Sequence, residues 1–223
     1  MIRLENISKS FRTPRGRKWI ARDVNVEFPT GVSVGLLGRN GAGKSTMMDM
    51  IGGRLMPDSG RIVKTGTVSF PVGFSGSFQK TMTGAQNTRF VARIYGVDTE
   101  ELIGFVEDFA ELGDQFYAPI NKYSSGMKSR LAFGVSMGIP LDTYLVDEVT
   151  SVGDANFKAK SAAVFQKRMK NAGAIVVTHS MKQIRQLCTA GAVLEQGTLT
   201  YYDDVEEAIA HHERNMGTDE DED

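Results

Sequence analysis

The sequence predicts an α/β protein with a mostly parallel sheet. Short β-branched or apolar runs bounded by turn residues alternate with longer helix-like stretches, which is the pattern of strand–helix–strand units. The 223 residues, 41% hydrophobic and 24% charged, suit one globular domain with a modest additional lobe. We therefore expect neither a disordered or fibrous chain nor a long multidomain architecture.

The predicted strands are short apolar runs that end at turn residues. In the second run, Val24, Val26 and Phe28 recur with the period of two that is typical of a half-buried strand. The nine predicted strands are Ile2 to Ser8, Ile20 to Phe28, Val32 to Leu37, Arg61 to Lys64, Val68 to Phe70, Thr143 to Val146, Ala174 to Thr178, Ala192 to Glu195 and Thr198 to Tyr201.

The predicted helices occupy the longer stretches. They are Lys44 to Arg54, Gln86 to Tyr95, Thr99 to Leu112, Ser125 to Met137, Phe157 to Asn171, Met181 to Cys188 and Val205 to Asn215. The helices between Gln86 and Met137 follow one another without an intervening strand, so we expect them to form a helical subdomain inserted into the α/β core. We place the core at about 1–75 and 140–216, the helical subdomain at about 76–139 and an acidic tail at 217–223.

The charge balance and the single cysteine indicate which partners and which cellular location to expect. Lys and Arg number 26 and Asp and Glu number 27, a balance that does not favour a nucleic-acid partner. Five acidic residues, Asp219 to Asp223, follow one another, and we expect their like charges to keep them solvated. The single cysteine, Cys188, cannot form an intrachain disulfide, and no signal-peptide pattern opens the chain, so we expect a reducing, cytosolic location.

The segment 38–45 matches the GxxxxGK[ST] phosphate-binding pattern. It follows the apolar run Val32 to Leu37 and precedes a helical pattern, which is the context that the motif requires. Its glycines allow successive N–H groups to turn inward toward phosphate oxygens. We expect Lys44 to reach the β- and γ-phosphates of a nucleotide and Ser45 to hold Mg²⁺.

Two carboxylates follow a later strand. Asp147 and Glu148 come directly after the apolar residues Tyr144 to Val146. We expect Asp147 to bind Mg²⁺ and Glu148 to act as the general base that orients and polarises the attacking water. Alone, such a pair is more typical of a solvated loop, and it becomes informative beside the phosphate-binding loop.

These motifs resemble those of the nucleotide-binding subunits of ABC transporters, over essentially the whole chain. Tyr123 to Met127 occupies the position of the LSGGQ signature, with Ser125 where glycine is usual and Met127 where glutamine is usual. Residues 151–154 match the D-loop, and His179 matches the switch histidine that contacts the γ-phosphate. The resemblance implies catalytic roles for Glu148 and His179, Mg²⁺ ligation by Ser45, Asp147 and Gln79, and ATP binding by Phe11, Gly38, Arg39, Asn40, Gly41, Ala42, Gly43, Lys44, Ser45, Thr46, Ser124, Ser125, Gly126 and Asp154.

Two assignments stay open. Phe11 matches the family's adenine-stacking aromatic, and Trp19 competes with it for that role. Trp19 belongs to the segment 12–22, rich in Arg and Lys, which we interpret as an inserted basic loop. This loop is either a solvated hairpin tip or a contact with lipid headgroups or triphosphate.

Within the family, the chain is similar to the ATPases that drive export of capsular polysaccharide in Gram-negative bacteria. The strings that carry this similarity are GRNGAGKST at 38–46, GFSGSFQKTMTGAQNTRFVARIYG at 73–96, YSSGMKSRLAFGVSMGI at 123–139 and DEVTSVGDANFKAKS at 147–161. The resemblance implies a homodimer with head-to-tail ATP sites, a homodimeric membrane permease, a periplasm-spanning partner and a peripheral position on the cytoplasmic face of the inner membrane. The alternatives are export of another glycan, such as O-antigen or teichoic acid, and a soluble ATPase of the same family.

Overall fold

The computed structural model describes residues 1–14, 16–72, 78–147 and 155–217 and confirms the α/β fold class. Every predicted strand and helix is present, with ends displaced by a few residues. Two short 3₁₀ turns, Gly113–Tyr117 and Ile120–Lys122, were not predicted. None of the described helices is both long and apolar enough to cross a bilayer.

The strands are β1 (Ile2–Thr13), β2 (Gly16–Phe28), β3 (Ser33–Leu37), β4 (Ser59–Lys64), β5 (Val68–Pro71), β6 (Thr143–Asp147), β7 (Gly173–Val177), β8 (Ala190–Glu195) and β9 (Thr198–Tyr202). The helices are α1 (Lys44–Gly52), α2 (Gly84–Tyr95), α3 (Thr99–Ala110), α4 (Ser125–Gly138), α5 (Ala155–Met169), α6 (Met181–Leu187) and α7 (Val205–Gly217).

The described residues form two compact units. The first, which contains both sheets, comprises residues 1–71, 141–147 and 171–217. One sheet is antiparallel with the strand order β2-β1-β4, and the other has the order β5-β6-β7-β3-β8-β9. In the six-stranded sheet only β9 runs antiparallel to its neighbour, as the ladders show.

The core of the first unit joins the two sheets through α1. Met47, Met48 and Met50 of this helix are buried together with Leu4 of β1 and Leu36 of β3 in one apolar cluster. Burial of such side chains contributes about 1.5–3 kcal/mol each. The helix that follows the glycine-rich loop is therefore anchored on both sides, which holds the loop in position.

Segment 12–22 is not an insertion outside the sheet but the tip of a hairpin, which is the first of the two alternatives given above. β1 and β2 pair as far as Thr13 and Gly16, so that Ser10 lies opposite Trp19 and Phe11 lies opposite Lys18. Ile20 and Ala21 are buried, and the pairing with β1 continues from them to Gly16, which keeps this part of β2 in the sheet. Arg12, Arg17, Lys18 and Arg22 therefore lie on the two strands of a long hairpin.

The second unit comprises residues 72, 78–140 and 155–170 and is mainly helical. Its core centres on Phe109 of α3, whose ring centroid lies 5.7 Å from that of Phe133 in α4 and 5.2 Å from that of Phe157 in α5. The Arg168 guanidinium of α5 donates to the carbonyl oxygens of Met137 and Gly138 at 2.6 and 3.1 Å. Arg168 thereby satisfies main-chain acceptors at the end of α4, where helical partners are missing.

Candidate functional site

The segment between β3 and α1 is a glycine-rich loop whose backbone takes conformations that other residues disfavour. Gly38, Gly41 and Gly43 have φ angles of 151°, 76° and 111°. A Cβ at Gly38 would lie 2.4 Å from the carbonyl oxygen of Leu194, and one at Gly43 would lie 2.5 Å from Cγ2 of Ile20. Glycine is therefore needed for the conformation and for the close approach of the neighbouring strands.

Lys44 begins α1, and its ammonium folds back over the loop. Its Nζ donates hydrogen bonds to the carbonyl oxygens of Gly38 at 2.6 Å and Arg39 at 3.1 Å. The first turn of α1 has no acidic residue, and no described side chain caps the helix at Gly43. The positive end of the helix thus faces the loop with no acidic residue in its own first turn, an arrangement that suits a phosphate group.

Asp147 and His179 lie at the same edge of the sheet as the loop because of the strand order. β7 lies between β3 and β6, and Asp147 pairs with Val177, two residues before His179. The carboxyl ends of parallel strands meet at one edge, where α/β proteins bind ligands. The turn that carries His179 is braced by Thr178, whose hydroxyl donates to Oε1 of Gln183 at 2.8 Å.

A cavity of about 590 Å³ brings these groups together within the first unit. We call it the loop cavity. Its chemistry combines an aromatic ring, backbone and ammonium donors, hydroxyls and one carboxylate. The predicted site residues that line it are Phe11, Asn40, Gly41, Gly43, Lys44, Ser45, Thr46, Asp147 and His179.

The two candidate aromatic residues lie in different cavities. Phe11, which is 43% exposed, lines the loop cavity. Trp19 lines a second cavity of about 440 Å³, beside Gly38, Arg39 and Ala42 of the same loop. The position of Phe11 allows a planar base to stack beside a phosphate chain that lies on the loop.

Ser124, Ser125 and Gly126 belong to the second unit and begin α4. The Ser124 side chain is the N-cap and accepts a hydrogen bond from the Met127 N–H at 3.2 Å. Ser124, Ser125 and Gly126 are all exposed. Among the described atoms, a Cβ at Gly126 would have only the Ser124 Oγ nearby, at 3.9 Å.

Gln79 also belongs to the second unit, where its backbone is held on both sides by the buried Asn87. Its N–H donates to Oδ1 of Asn87 at 2.8 Å, and its carbonyl accepts from Nδ2 at 3.1 Å. The side chain of Gln79 is exposed. Glu148 and Asp154 lie outside the described residues, and the roles of all three remain predictions.

Sequence reasoning missed the position of Lys18. This residue lines both cavities, and its Nζ would lie 3.5 Å from a Cβ at Gly41. The signal was present in the basic segment, but only the pairing of Lys18 with Phe11 brings its side chain to the loop. His212 of α7 was missed as well. Burial and then the Lys44 charge lower the pKa of His212, which favours its neutral form.

Comparison with known proteins agrees with this geometry. The ABC transporter family model matches residues 21–151. The polysialic acid transport ATP-binding protein KpsT of Escherichia coli is 48% identical over 222 residues, which cover 98% of this chain and 99% of that protein. ATP-binding protein BexA of Haemophilus influenzae is 41% identical and covers 95% and 98% of the two chains.

A solved structure shares the fold at low sequence identity. The dimeric, post-hydrolysis structure of the ATP-binding cassette MJ0796, bound to ADP and Pi, superposes with a TM-score of 0.74 at 19% identity and covers 92% of this chain and 99% of that one. The family model spans more than half of the chain, and the relatives align over nearly their full length. The chain therefore belongs to the ABC transporter family.

Proposed function

We propose that this chain is the ATP-hydrolysing subunit of an exporter of capsular polysaccharide, a lipid-anchored glycan. The observation that carries the proposal is the nearly full-length identity of 48% to KpsT, whose name specifies polysialic acid transport. The capsule polysaccharide export ATP-binding protein CtrD of Neisseria meningitidis serogroup B, 41% identical over 95% of this chain, supports the same class of cargo.

In the proposed reaction the loop cavity binds ATP. Phe11 stacks on the adenine, while the loop N–H groups and the Lys44 ammonium bind the β- and γ-phosphates. Glu148 accepts a proton from the water that attacks the γ-phosphorus, and His179 contacts the γ-phosphate as ADP leaves. Mg²⁺ fits the donors present, because the Ser45 hydroxyl and the Asp147 carboxylate line one cavity and this ion prefers oxygen ligands. Bound there, with Gln79 as a further ligand, it would neutralise phosphate charge.

Two copies of the chain act together in this proposal. The exposed turn Ser124 to Gly126 of one copy would contact the γ-phosphate held by the other, while Asp154 completes the site. ATP binding then closes the pair, and hydrolysis opens it. The pair works beneath a homodimeric membrane permease with a periplasm-spanning partner, at the cytoplasmic face of the inner membrane.

The phosphate-binding part of the proposal is tested with Lys44→Ala. We expect the affinity for ATP to fall about 30-fold or more, because charge-assisted bonds to the phosphates are lost. Lys170→Ala, at an exposed lysine of the second unit, serves as the matched control. Isothermal titration of both variants measures the two dissociation constants, and near-normal ATP affinity of Lys44→Ala would remove this residue from the site.

The exporter assignment is tested by identifying the partners. A tagged Glu148→Gln chain is purified with ATP from membranes of its own cells, and the proteins that accompany it are identified by mass spectrometry. Recovery of a multispanning permease with a periplasm-spanning partner supports the proposal. Recovery of soluble or ribosomal proteins alone contradicts it.

Teichoic acid export is the second candidate. The teichoic acids export ATP-binding protein TagH of Staphylococcus haemolyticus is 32% identical over 96% of this chain. The lower identity favours the capsule assignment. Sugar analysis of the glycan that accumulates inside cells carrying Lys44→Ala distinguishes the two cargoes.

A further inference from the structure

The second cavity shares Lys18, Asn40 and Gly41 with the loop cavity. Its volume is about 440 Å³, and its walls come from β2, the glycine-rich loop, the β8–β9 turn and α7. Trp19, Arg39, Glu195 and His212 are among its lining residues. Lys18 lines both cavities, so a ligand in one cavity shares this ammonium with a ligand in the other.

The rim of the second cavity is cationic. The guanidinium carbons of Arg17 and Arg22 lie 4.9 and 5.0 Å from the ring centroid of Trp19. Within the part of the chain that the structure describes, no carboxylate forms an ion pair with Arg17, Lys18 or Arg22. Three positive charges therefore stand beside the cavity without a described ion-pair partner.

The carboxylate of the cavity is already engaged. Nδ2 of Asn215 donates to Oε2 of Glu195, and the same oxygen lies 3.9 Å from Nε2 of His211. Among the described residues, Glu195 forms no ion pair with the three cations of the rim. Burial and then the Lys44 charge lower the pKa of His212, which disfavours a positive charge on this ring.

An acidic segment of this chain begins close to the cavity. His212 and Asn215, both on α7, line the cavity, and α7 ends at Gly217. Residues 219–223 are all acidic. Since an extended chain spans about 3.5 Å per residue, the first acidic residue can lie up to about 14 Å from Asn215 and the last up to about 28 Å. The cationic rim is within this reach.

We propose that the acidic segment 219–223 docks on the Arg17, Lys18 and Arg22 rim of the second cavity and competes with nucleotide phosphates for Lys18. The proposed docking is inferred from the opposite charges of the segment and the rim and from the position of α7. The competition rests on the proposed nucleotide site. The segment would raise the ATP concentration that the loop cavity needs, and its effect would weaken as salt screens the charges.

Trp19 allows docking to be measured without any nucleotide, because it is the single tryptophan of the chain. We compare acrylamide quenching of its fluorescence in the full chain and in a chain that stops at Thr218. At low salt we expect the quenching constant to rise roughly twofold on truncation, because several exposed ion pairs keep the docked segment over the ring. At 1 M salt, where the Debye length falls to about 3 Å, the difference should vanish.

Two full-length controls separate charge from length. In one, the five acidic residues 219–223 are replaced by Asn and Gln; in the other, Lys18→Gln removes one cation of the rim. The neutral segment should behave like the truncated chain, and Lys18→Gln should reduce the protection of Trp19. Equal quenching of the full and truncated chains at low salt, or full protection by the neutral segment, overturns the docking.

ATP titration then tests competition. We expect truncation at Thr218 to lower the dissociation constant for ATP about three- to tenfold at low salt, and to have a smaller effect in the Lys18→Gln background. If the segment protects Trp19 but truncation leaves the dissociation constant for ATP unchanged, the segment docks without competing with ATP, and the competition is refuted. Absence of ATP binding in every variant refutes the proposed nucleotide site, while the quenching result still decides whether the segment docks.

Discussion

Gly38 shows how single atoms decide the shape of the phosphate-binding loop. Its φ of 151° is unfavourable for any other residue, and a Cβ would lie 2.4 Å from the main-chain oxygen of Leu194. That oxygen cannot swing aside as a side chain would, because Leu194 lies in β8 and pairs with Leu199 of β9. Both constraints act at one position.

We predict that Gly38→Ala lowers the free energy of unfolding by about 3 kcal/mol or more, since it combines backbone strain with a clash. The matched control is Gly104→Ala in the middle of α3, where a Cβ would meet no described atom outside the helix's own backbone within 4 Å. This control should gain about 0.5–1 kcal/mol because alanine favours a helix. Urea denaturation of both variants measures the difference, and equal stabilities would show that the loop relaxes freely.

The local sequence pattern was sufficient to predict the glycine-rich loop and its lysine and serine. The spacing of the glycines, Lys44 and Ser45 follows from the needs of a phosphate group, so a single stretch of sequence is enough to identify them. Lys18 and Ile20 reach the loop through the pairing of β1 with β2, which joins residues that no local pattern connects. Their contribution could therefore be found only in the structure.

At the scale of elements, Asp58 ties β1 to the turn before β4. Its Oδ1 lies 2.8 Å from Nζ of Lys9, and its Oδ2 accepts from the N–H and hydroxyl of Ser10 at 2.9 and 3.1 Å. The hydrogen bond from Lys9, and then the one from the Ser10 N–H, lower the pKa of Asp58 from its ordinary value of 3.8 to about 2. The folded state therefore favours the ionised carboxylate.

We predict that Asp58 stabilises the protein above pH 3.8 and that this stabilisation is lost as the pH falls toward 2, where the folded-state carboxylate takes up its proton. Asp58→Asn should melt at a lower temperature than the parent chain at pH 5, and the gap should shrink steadily below pH 4. Glu27→Gln, at an exposed carboxylate on the same sheet, is the control. A gap that stays constant from pH 5 to 2 would contradict the prediction.

In the second unit, the Asn87 side chain likewise joins separate segments of the chain through hydrogen bonds. This buried side chain bonds the N–H and the carbonyl of Gln79 and donates to the Thr83 carbonyl at 2.9 Å. We predict that Asn87→Ala costs about 2–4 kcal/mol in the free energy of unfolding, because two main-chain groups of Gln79 lose their partners. Thr88→Val removes one hydroxyl bond within α2 and should cost less than half as much. Denaturant unfolding compares the two variants, and similar losses would show that Gln79 finds other partners.

At the scale of the whole molecule, the alternation of strands and helices was predictable and the order of the strands was not. Periodicity and turn residues act over a few positions, whereas the sequence of neighbours β6-β7-β3 depends on crossovers between distant segments. That order is what brings Asp147 and His179 to the edge occupied by the loop. The same reason applies to segment 12–22, where charges suggested an inserted loop and pairing across the hairpin makes a strand.

At the scale of the whole molecule, we expect ATP binding to join two copies of the chain into a dimer. If Glu148 is the general base, Glu148→Gln should bind ATP normally but lose hydrolysis by about 100-fold or more, so that a closed pair of chains accumulates. Glu207→Gln, at an exposed glutamate of α7, is the control and should turn over ATP as the parent chain does. Sedimentation velocity with ATP and Mg²⁺ measures the fraction of dimer, which should rise in Glu148→Gln and disappear when Lys44→Ala is added to it. Unchanged turnover would remove Glu148 from catalysis, whereas lost turnover without dimers would separate catalysis from pairing and point to a different arrangement of the signature residues Ser124 to Gly126.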